Sequence, residues 1–399
     1  MGDGGAIGAA RGIRQRNELA AMRALHQFGQ LSRAELARIL GLNRSSSGHI
    51  IAGLTADGLV REVGMAGQAQ AAHVHAGRPG ILLELVPTAA SFLGVEIGVE
   101  HITVVEIDLS SQILARRTEP FDGKAVDADE AVSCAMRFAF DTLPPERIER
   151  CMGIGVAVPA QMDRHGLIRI APLLGWEDVP LADRVRAALP APMPVIAEND
   201  ANAFAIGASH REREAHAGVT LYLVMESGVG GGIVVDGALF RGGRGLAGEI
   251  GHLRVNGVDE PDRSLENVLG LDCILAAYRA VSTQPEPNLA AFLADVRDRV
   301  PGAVAIAEEW ARALAFGLIQ TCRVIDADRV VLGGSVAALY PLMAARVLHH
   351  IRCMQEASFP MPVIETNDDE TVGPAFGAAC ILHQLFLSAD SSRLVEEAT

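Results

Sequence analysis

At 399 residues the chain is long enough for two or three domains with full-sized cores, which excludes a peptide-like role. Its net charge of −15 is unevenly spread. Residues 1–85 hold 9 arginines and 6 acidic residues, a net of +3, and the remainder holds 25 basic and 43 acidic residues, a net of −18, so any nucleic-acid contact is expected in the N-terminal segment.

Residues 14–28 (RQRNELAAMRALHQF) place Leu19, Met22, Leu25 and Phe28 at helical spacing, which predicts a first helix. Residues 32–60 then read as a helix-turn-helix. Leu36, Ala37 and Leu40 form one stripe, Gly41 supplies a left-handed turn, and Asn43 is placed to cap a second helix with Ile50, Ile51 and Leu54 on its buried side. Arg44, Ser45, Ser46, Ser47 and His49 cluster near the start of that second helix, where a recognition helix meets bases and phosphates. An ordinary helical hairpin fits the same pattern. Residues 58–63 and 81–85 read as an antiparallel pair, so a winged helix is expected. Its wing tip, residues 64–80, ends in Gly77-Arg78-Pro79-Gly80, and Arg78 suits a narrow minor groove, although a solvated hinge suits the composition equally.

From Ser91 the pattern changes to strands. Residues 91–120 contain three apolar runs that predict an antiparallel meander, followed by a helix over about 127–140 and a buried strand at 153–158. Strands and helices then alternate to the end, the signature of a layered α/β body.

Four constellations follow in order. Asn199 and Asp200 come directly after an apolar strand, at the edge where open α/β sheets bind ligands, and can meet sugar hydroxyls or simply cap a helix. Gly228, Gly230 and Gly231 lie in a glycine-rich stretch whose backbone could approach a phosphate. Glu249 and His252 are three apart, with Glu266 further on. Gly333 and Gly334 end a strand, suiting an adenosine or a close crossover.

The order of these motifs behind a winged helix resembles the ROK family of repressors and sugar kinases, in particular the xylose-repressor and N-acetylglucosamine-repressor type. The likeness covers about residues 14–385, and GVGGGIVVDGALFRGGRGLAGEIGH, residues 228–252, is its most specific part. It implies a two-lobed actin- and hexokinase-like fold with the sugar in the cleft. By the same resemblance Asn199, Asp200, Glu249, His252 and Glu266 are the sugar contacts, and Asp200 stands at the catalytic-base position of kinase members. Gly98, Gly228, Gly230, Gly231, Gly333 and Gly334 fall in the nucleotide loops.

Those loops depart from the kinase pattern. Kinase members carry Asp-x-Gly-Gly-Thr first; here Glu96-Ile97-Gly98-Val99-Glu100-His101 sets a branched side chain and an extra negative charge beside a polyanion. Like charges about 4 Å apart repel by roughly 4 kcal/mol at an effective dielectric near 20. Glu226-Ser227 replaces the usual Gly-Thr of the second loop. Many relatives hold a structural zinc with a Cys-x-Cys after the Gly-His motif; residues 253–265 contain no cysteine, so no metal is expected there.

The expectation is thus a head at 1–85 and a sugar-kinase-like body at 86–399, with a small lobe at about 86–198 plus the C-terminal helix and a large lobe at about 199–374. The function expected is a sugar-responsive regulator, a repressor, with no enzymatic activity and no cofactor. Its partners would be a double-stranded operator and a free sugar, and it would form a homodimer or a dimer of dimers. An ATP-dependent sugar kinase with a DNA-binding appendage is the alternative, and a ligand-independent scaffold a third. Six cysteines without a Cys-x-x-Cys pair, no leader before the first helix and no apolar run of membrane-spanning length point to the cytoplasm.

Overall fold

A computed structural model describes residues 4–65, 81–211, 218–255 and 263–388, except 368 and 370. The head consists of α1 (Gly4–Phe28), β1 (Leu31–Ser32), α2 (Arg33–Ile39), α3 (Arg44–Ala56), β2 (Val60–Met65) and β3 (Ile81–Leu85). A capping box starts α2: the Glu35 N–H donates to the Ser32 hydroxyl at 3.2 Å while the Ser32 N–H donates to the Glu35 carboxylate at 2.8 Å. Gly41, at φ 63°, reverses the chain, and Asn43 caps α3 by accepting from the Ser46 N–H at 2.9 Å. The three strands form an antiparallel sheet in the order β1-β3-β2, so the head is a winged helix as expected. The first helix begins at Gly4, ten residues before the apolar spacing that predicted it. Residues 66–80 of the wing, with Arg78, lie outside the described residues.

The body opens with the expected meander, β4 (Ser91–Ile97), β5 (His101–Asp108) and β6 (Ile113–Pro120). After α4 (Ala128–Thr142) and α5 (Pro145–Ile148), β7 (Cys151–Val158) joins β4 in parallel. A ribbon of β8 (Gln161–Met162), β9 (Leu167–Ala171) and β10 (Trp176–Pro180) and a helix α6 (Leu181–Ala188) follow. Next comes β11 (Val195–Asn199), which completes a sheet of order β11-β7-β4-β5-β6.

A second five-stranded sheet follows α7 (Asp200–Arg211). It contains β12 (Val219–Met225), β13 (Val229–Val235) and β14 (Ala238–Leu239). Four helices then intervene: α8 (Glu266–Leu269), α9 (Leu271–Val281), α10 (Leu289–Arg297) and α11 (Pro301–Ile325). β15 (Arg329–Gly333), α12 (Tyr340–Met354) and β16 (Val363–Thr366) complete the order β14-β13-β12-β15-β16, and α13 (Pro374–Phe386) ends the described chain.

Between the two sheets lie α13, against the first, and α7, against the second. Glycines permit this close stacking. A Cβ on Gly94 would fall 1.8 Å from the Ala375 carbonyl oxygen, on Gly232 2.4 Å from the Ala205 Cβ, and on Gly377 1.7 Å from the Ala203 carbonyl oxygen. One apolar cluster runs from Leu19, Met22 and Leu54 of the head through Phe92 to Phe376 and Leu382 of α13, so head and body share a continuous core.

Candidate functional site

The cleft takes its first wall from the carboxyl edge of the first sheet. Asn199 ends β11 and Asp200 begins α7, so the chain direction projects both side chains beyond the strand ends. The Asn199 side-chain amide donates to the Ala160 carbonyl and to Asp200, both at 3.0 Å, and its oxygen accepts from the Asn202 N–H at 3.0 Å. Asp200 accepts from the Ala201 N–H at 2.8 Å. Burial nevertheless pushes its carboxyl up to about 7; the Ala201 N–H opposes this and the nearby Glu96 and Glu249 charges add to it. A carboxyl poised near neutrality at the end of a strand suits proton exchange with a hydroxyl.

The facing wall is the Gly248-Glu249-Ile250-Gly251-His252 segment, which is pressed onto the backbone of β13. A Cβ on Gly248 would lie 2.1 Å from the Gly231 carbonyl oxygen, and one on Gly251 2.0 Å from that of Val229. The tight seat holds Glu249 and His252 with 3.5 Å between their polar atoms. Gln161, at the start of β8, donates to Glu249 at 3.3 Å and lies 3.2 Å from the His252 ring nitrogen. Burial raises the Glu249 carboxyl; His252 and Gln161 counteract that, and Glu266 adds to it. Glu266, the first residue of α8, accepts from the Val229 N–H at 3.0 Å. The five residues singled out for the sugar therefore lie near one another: Asn199 bonds Asp200, Glu249 acts on Asp200, His252 pairs with Glu249, and Glu266 acts on Glu249. Gln161 was missed, though its place just past the end of β7, the parallel neighbour of β11, was the available signal.

The glycines behave differently from the phosphate-cradling expectation. Only Gly228 lies in a turn. Gly230 and Gly231 are inside β13, where alternate residues face opposite sides: a Cβ on Gly230 would strike the Ala201 Cβ at 2.6 Å, and one on Gly231 the Gly248 carbonyl oxygen at 2.7 Å. Their job is close packing against α7 and the Gly-Glu-Ile-Gly-His segment. Likewise a Cβ on Gly333 would meet Phe204 at 2.3 Å, while Gly334, at φ 82°, turns the chain beside Met225.

Gly98 is buried in the β4–β5 turn, where a Cβ would fall 2.9 Å from the His101 carbonyl oxygen. The Val99 side chain is half-buried and packs against the first sheet's core. Glu96 instead pairs with His101 at 3.5 Å, and that hydrogen bond raises the imidazole above its ordinary range against the effect of burial. In the second loop the Glu226 carboxylate accepts from the Ser335 N–H and hydroxyl, both at 2.6 Å. An internal anion thus occupies a backbone donor that follows the Gly333-Gly334 turn. Beside it a cavity of about 460 Å³ is lined in part by Phe204, Gly334, Ser335, Asn367 and Val372.

In the head, Arg44, Ser45 and His49 are exposed and Ser46 is half-buried, near the capped start of α3. Ser47 departs from the expected set: it is only 3% exposed and its hydroxyl lacks a hydrogen-bond partner. The stripe that contains Ile50, Ile51 and Leu54 extends back one turn to position 47, so helical geometry turns Ser47 to the core.

Known proteins resemble this chain in family and in fold. The family model described as "ROK family" matches residues 92–385. The chain is 27% identical over 255 residues to the xylose repressor of Caldicellulosiruptor bescii, a match covering 62% of this chain and 61% of that protein. The matched part thus spans about three-fifths of the length of such curated relatives. Among solved structures, a ROK family transcriptional regulator, described as a homologue of the E. coli MLC protein, superposes with a TM-score of 0.78 at 18% identity over 97% of this chain and 99% of that one. A ROK family glucokinase from Streptomyces griseus, in complex with glucose and AMPPNP, superposes with a TM-score of 0.62 at 22% identity over 73% and 99%.

Proposed function

The chain belongs to the ROK family, and we propose that it is a sugar-responsive transcriptional repressor of carbohydrate-metabolism genes. One observation carries this reading: α7 begins at Asp200 and carries in its last turn His210, whose ring stacks on His26 of α1 at 5.0 Å. Its 12 residues form a rod of roughly 18 Å between the polar cleft and the head. A sugar that favours one arrangement of the lobes can thereby favour one placement of α3, and it shifts operator occupancy only by that difference in affinity.

Asn199, Asp200, Glu249, His252 and Glu266, joined by Gln161, are the proposed sugar contacts. Glu249 and Glu266, joined by Asp200 once it loses its proton above about pH 7, repel a phosphoryl group, so the effector is a free sugar. Arg44, Ser45, Ser46 and His49 are the proposed groove contacts, with Arg78 of the wing reaching the minor groove. A homodimer on a palindromic operator in the cytoplasm follows, with the head at 1–85 and the body at 86–399. Among the described residues no helix is long and apolar enough to cross a membrane. Glu226, seated on the Ser335 N–H, disfavours a nucleotide phosphate there and supports a non-catalytic role.

A sugar kinase is the second reading, favoured by the cavity beside Gly334 and by the near-neutral Asp200 carboxyl. The deciding experiment is a gel shift of the full chain on the DNA upstream of its own gene, repeated with a sugar library and with ATP. Release of that DNA by one free sugar is expected. Rapid ATP-dependent phosphorylation of the sugar, abolished by Asp200→Asn, would replace the regulator-only view with the kinase.

A further inference from the structure

Three histidines remote in sequence converge where the head meets the body. His26 lies in the last turn of α1, His210 in the last turn of α7 and His383 near the end of α13. Their ring centroids are 4.7 to 5.0 Å apart, and one ring nitrogen from each lies within 4.8 Å of the other two. The Ser111 hydroxyl stands between two of them, 2.6 Å from the His26 Nε2 and 2.9 Å from the His210 Nε2.

His383 shows what the cluster is suited to. Its Nε2 lies 2.9 Å from the Leu109 carbonyl oxygen, which can only accept, so the proton sits on Nε2 and the lone pair on Nδ1. That Nδ1 belongs to a fully buried side chain and has no hydrogen-bond partner. A backbone carbonyl fixing one imidazole nitrogen while the other presents its lone pair is the usual support behind a metal-bound histidine. Phe92, edge-on at 5.2 Å, supplies an apolar wall.

We propose that His26, His210 and His383 are the protein ligands of a divalent transition-metal site of the zinc class that fastens the DNA-reading head to the body. Zinc–nitrogen bonds of about 2.0–2.1 Å place tetrahedral ligand nitrogens roughly 3.3 Å apart, so the three nitrogens, within 4.8 Å of one another here, draw together on binding. The fourth position falls to the Ser111 oxygen or a water. Three imidazoles select zinc, cobalt or nickel over magnesium and calcium, which take oxygen ligands. The site is separate from the cleft and from the loop after Gly251-His252, and it stands whether or not a sugar is the effector.

The test uses the full chain stripped of metal by a chelator. Titration with Co²⁺ is expected to give the visible bands of a four-coordinate nitrogen site at one equivalent per chain. Zn²⁺ should displace it and raise the melting temperature by several degrees. His26→Gln and His210→Gln should each weaken binding at least tenfold, while Cys353→Ser, a control beside His349, should leave it unchanged. X-ray absorption of the zinc-loaded parent should count three imidazoles, a readout that needs no variant to fold. No cobalt bands and no thermal shift in the parent, fewer than three imidazoles, or equal affinity in folded His26→Gln and His210→Gln would overturn the proposal.

Discussion

In the head, the helix caps and the turn are set within a few residues: Ser32 with Glu35, Gly41 at the turn, Asn43 with Ser46. In the cleft, the partners are distant: Gln161 meets Glu249, Glu226 meets Ser335, and Gly248 rests on Gly231. The head displays its candidate contacts along one helix, so they can change singly at small cost. The cleft is assembled by close backbone approach, so its chemistry and its stability are coupled.

The largest expected contrast comes from adding one methyl group in each region. Gly251→Ala, which would set a Cβ 2.0 Å from the Val229 carbonyl oxygen, should cost about 3 kcal/mol or more in urea unfolding. Gly41→Ala has open space and only its positive φ against it, and should cost about 1 kcal/mol. Similar losses for the two would remove the distinction between the regions.

The pH dependence of the cleft comes next. Asp200 keeps its proton to about pH 7 in the folded chain but has an ordinary value of 3.8, so the folded state holds more protons in that window. Stability from this group is therefore highest at the acid end and falls as pH rises through 7, by on the order of 2 kcal/mol once water reaching the cleft is allowed for. Asp200→Asn should remove that fall, measured as the difference in unfolding free energy between pH 5 and 8; an unchanged difference would mean that the carboxyl is already ionised in the folded chain.

Glu249→Ala or His252→Ala should weaken the stabilising sugar at least tenfold, about 1.4 kcal/mol, read as loss of its thermal shift, with operator binding in the absence of sugar retained. Both variants responding like the parent would detach the sugar from this wall. The smallest effects sharpen the head. Arg44→Ala should lose about 1 kcal/mol on operator and less on random duplex, whereas Ser47→Ala should leave operator affinity and stability within about 0.5 kcal/mol. Equal losses from the two would show that Ser47 is not where the helix stripe places it.

Much of this was legible beforehand because the signals are short-range. The helix-turn-helix, the strand meander from Ser91 and the cap at Asn43 each rest on spacing within one element or its neighbour. Ser47 was misplaced because the buried stripe was begun one turn late. Gly230 and Gly231 were misread because four glycines in five positions look alike whether they line a loop or sit in a strand under a helix. Which applies depends on α7, and no local pattern records that contact. Gln161 escaped because a lone glutamine after a strand becomes informative only once β11 is known to lie beside β7.

The amino-acid order alone pointed to the winged helix and a layered α/β body, since periodicity, caps and strand ends are properties of neighbouring residues, while the five polar site residues came from the resemblance to the ROK family. Only the packed chain decided that Glu226 answers the Ser335 amide, that the strand glycines serve helix stacking, and that His26, His210 and His383 share one space. Those outcomes depend on which backbones can approach most closely, a condition set by three-dimensional contact between segments far apart along the chain.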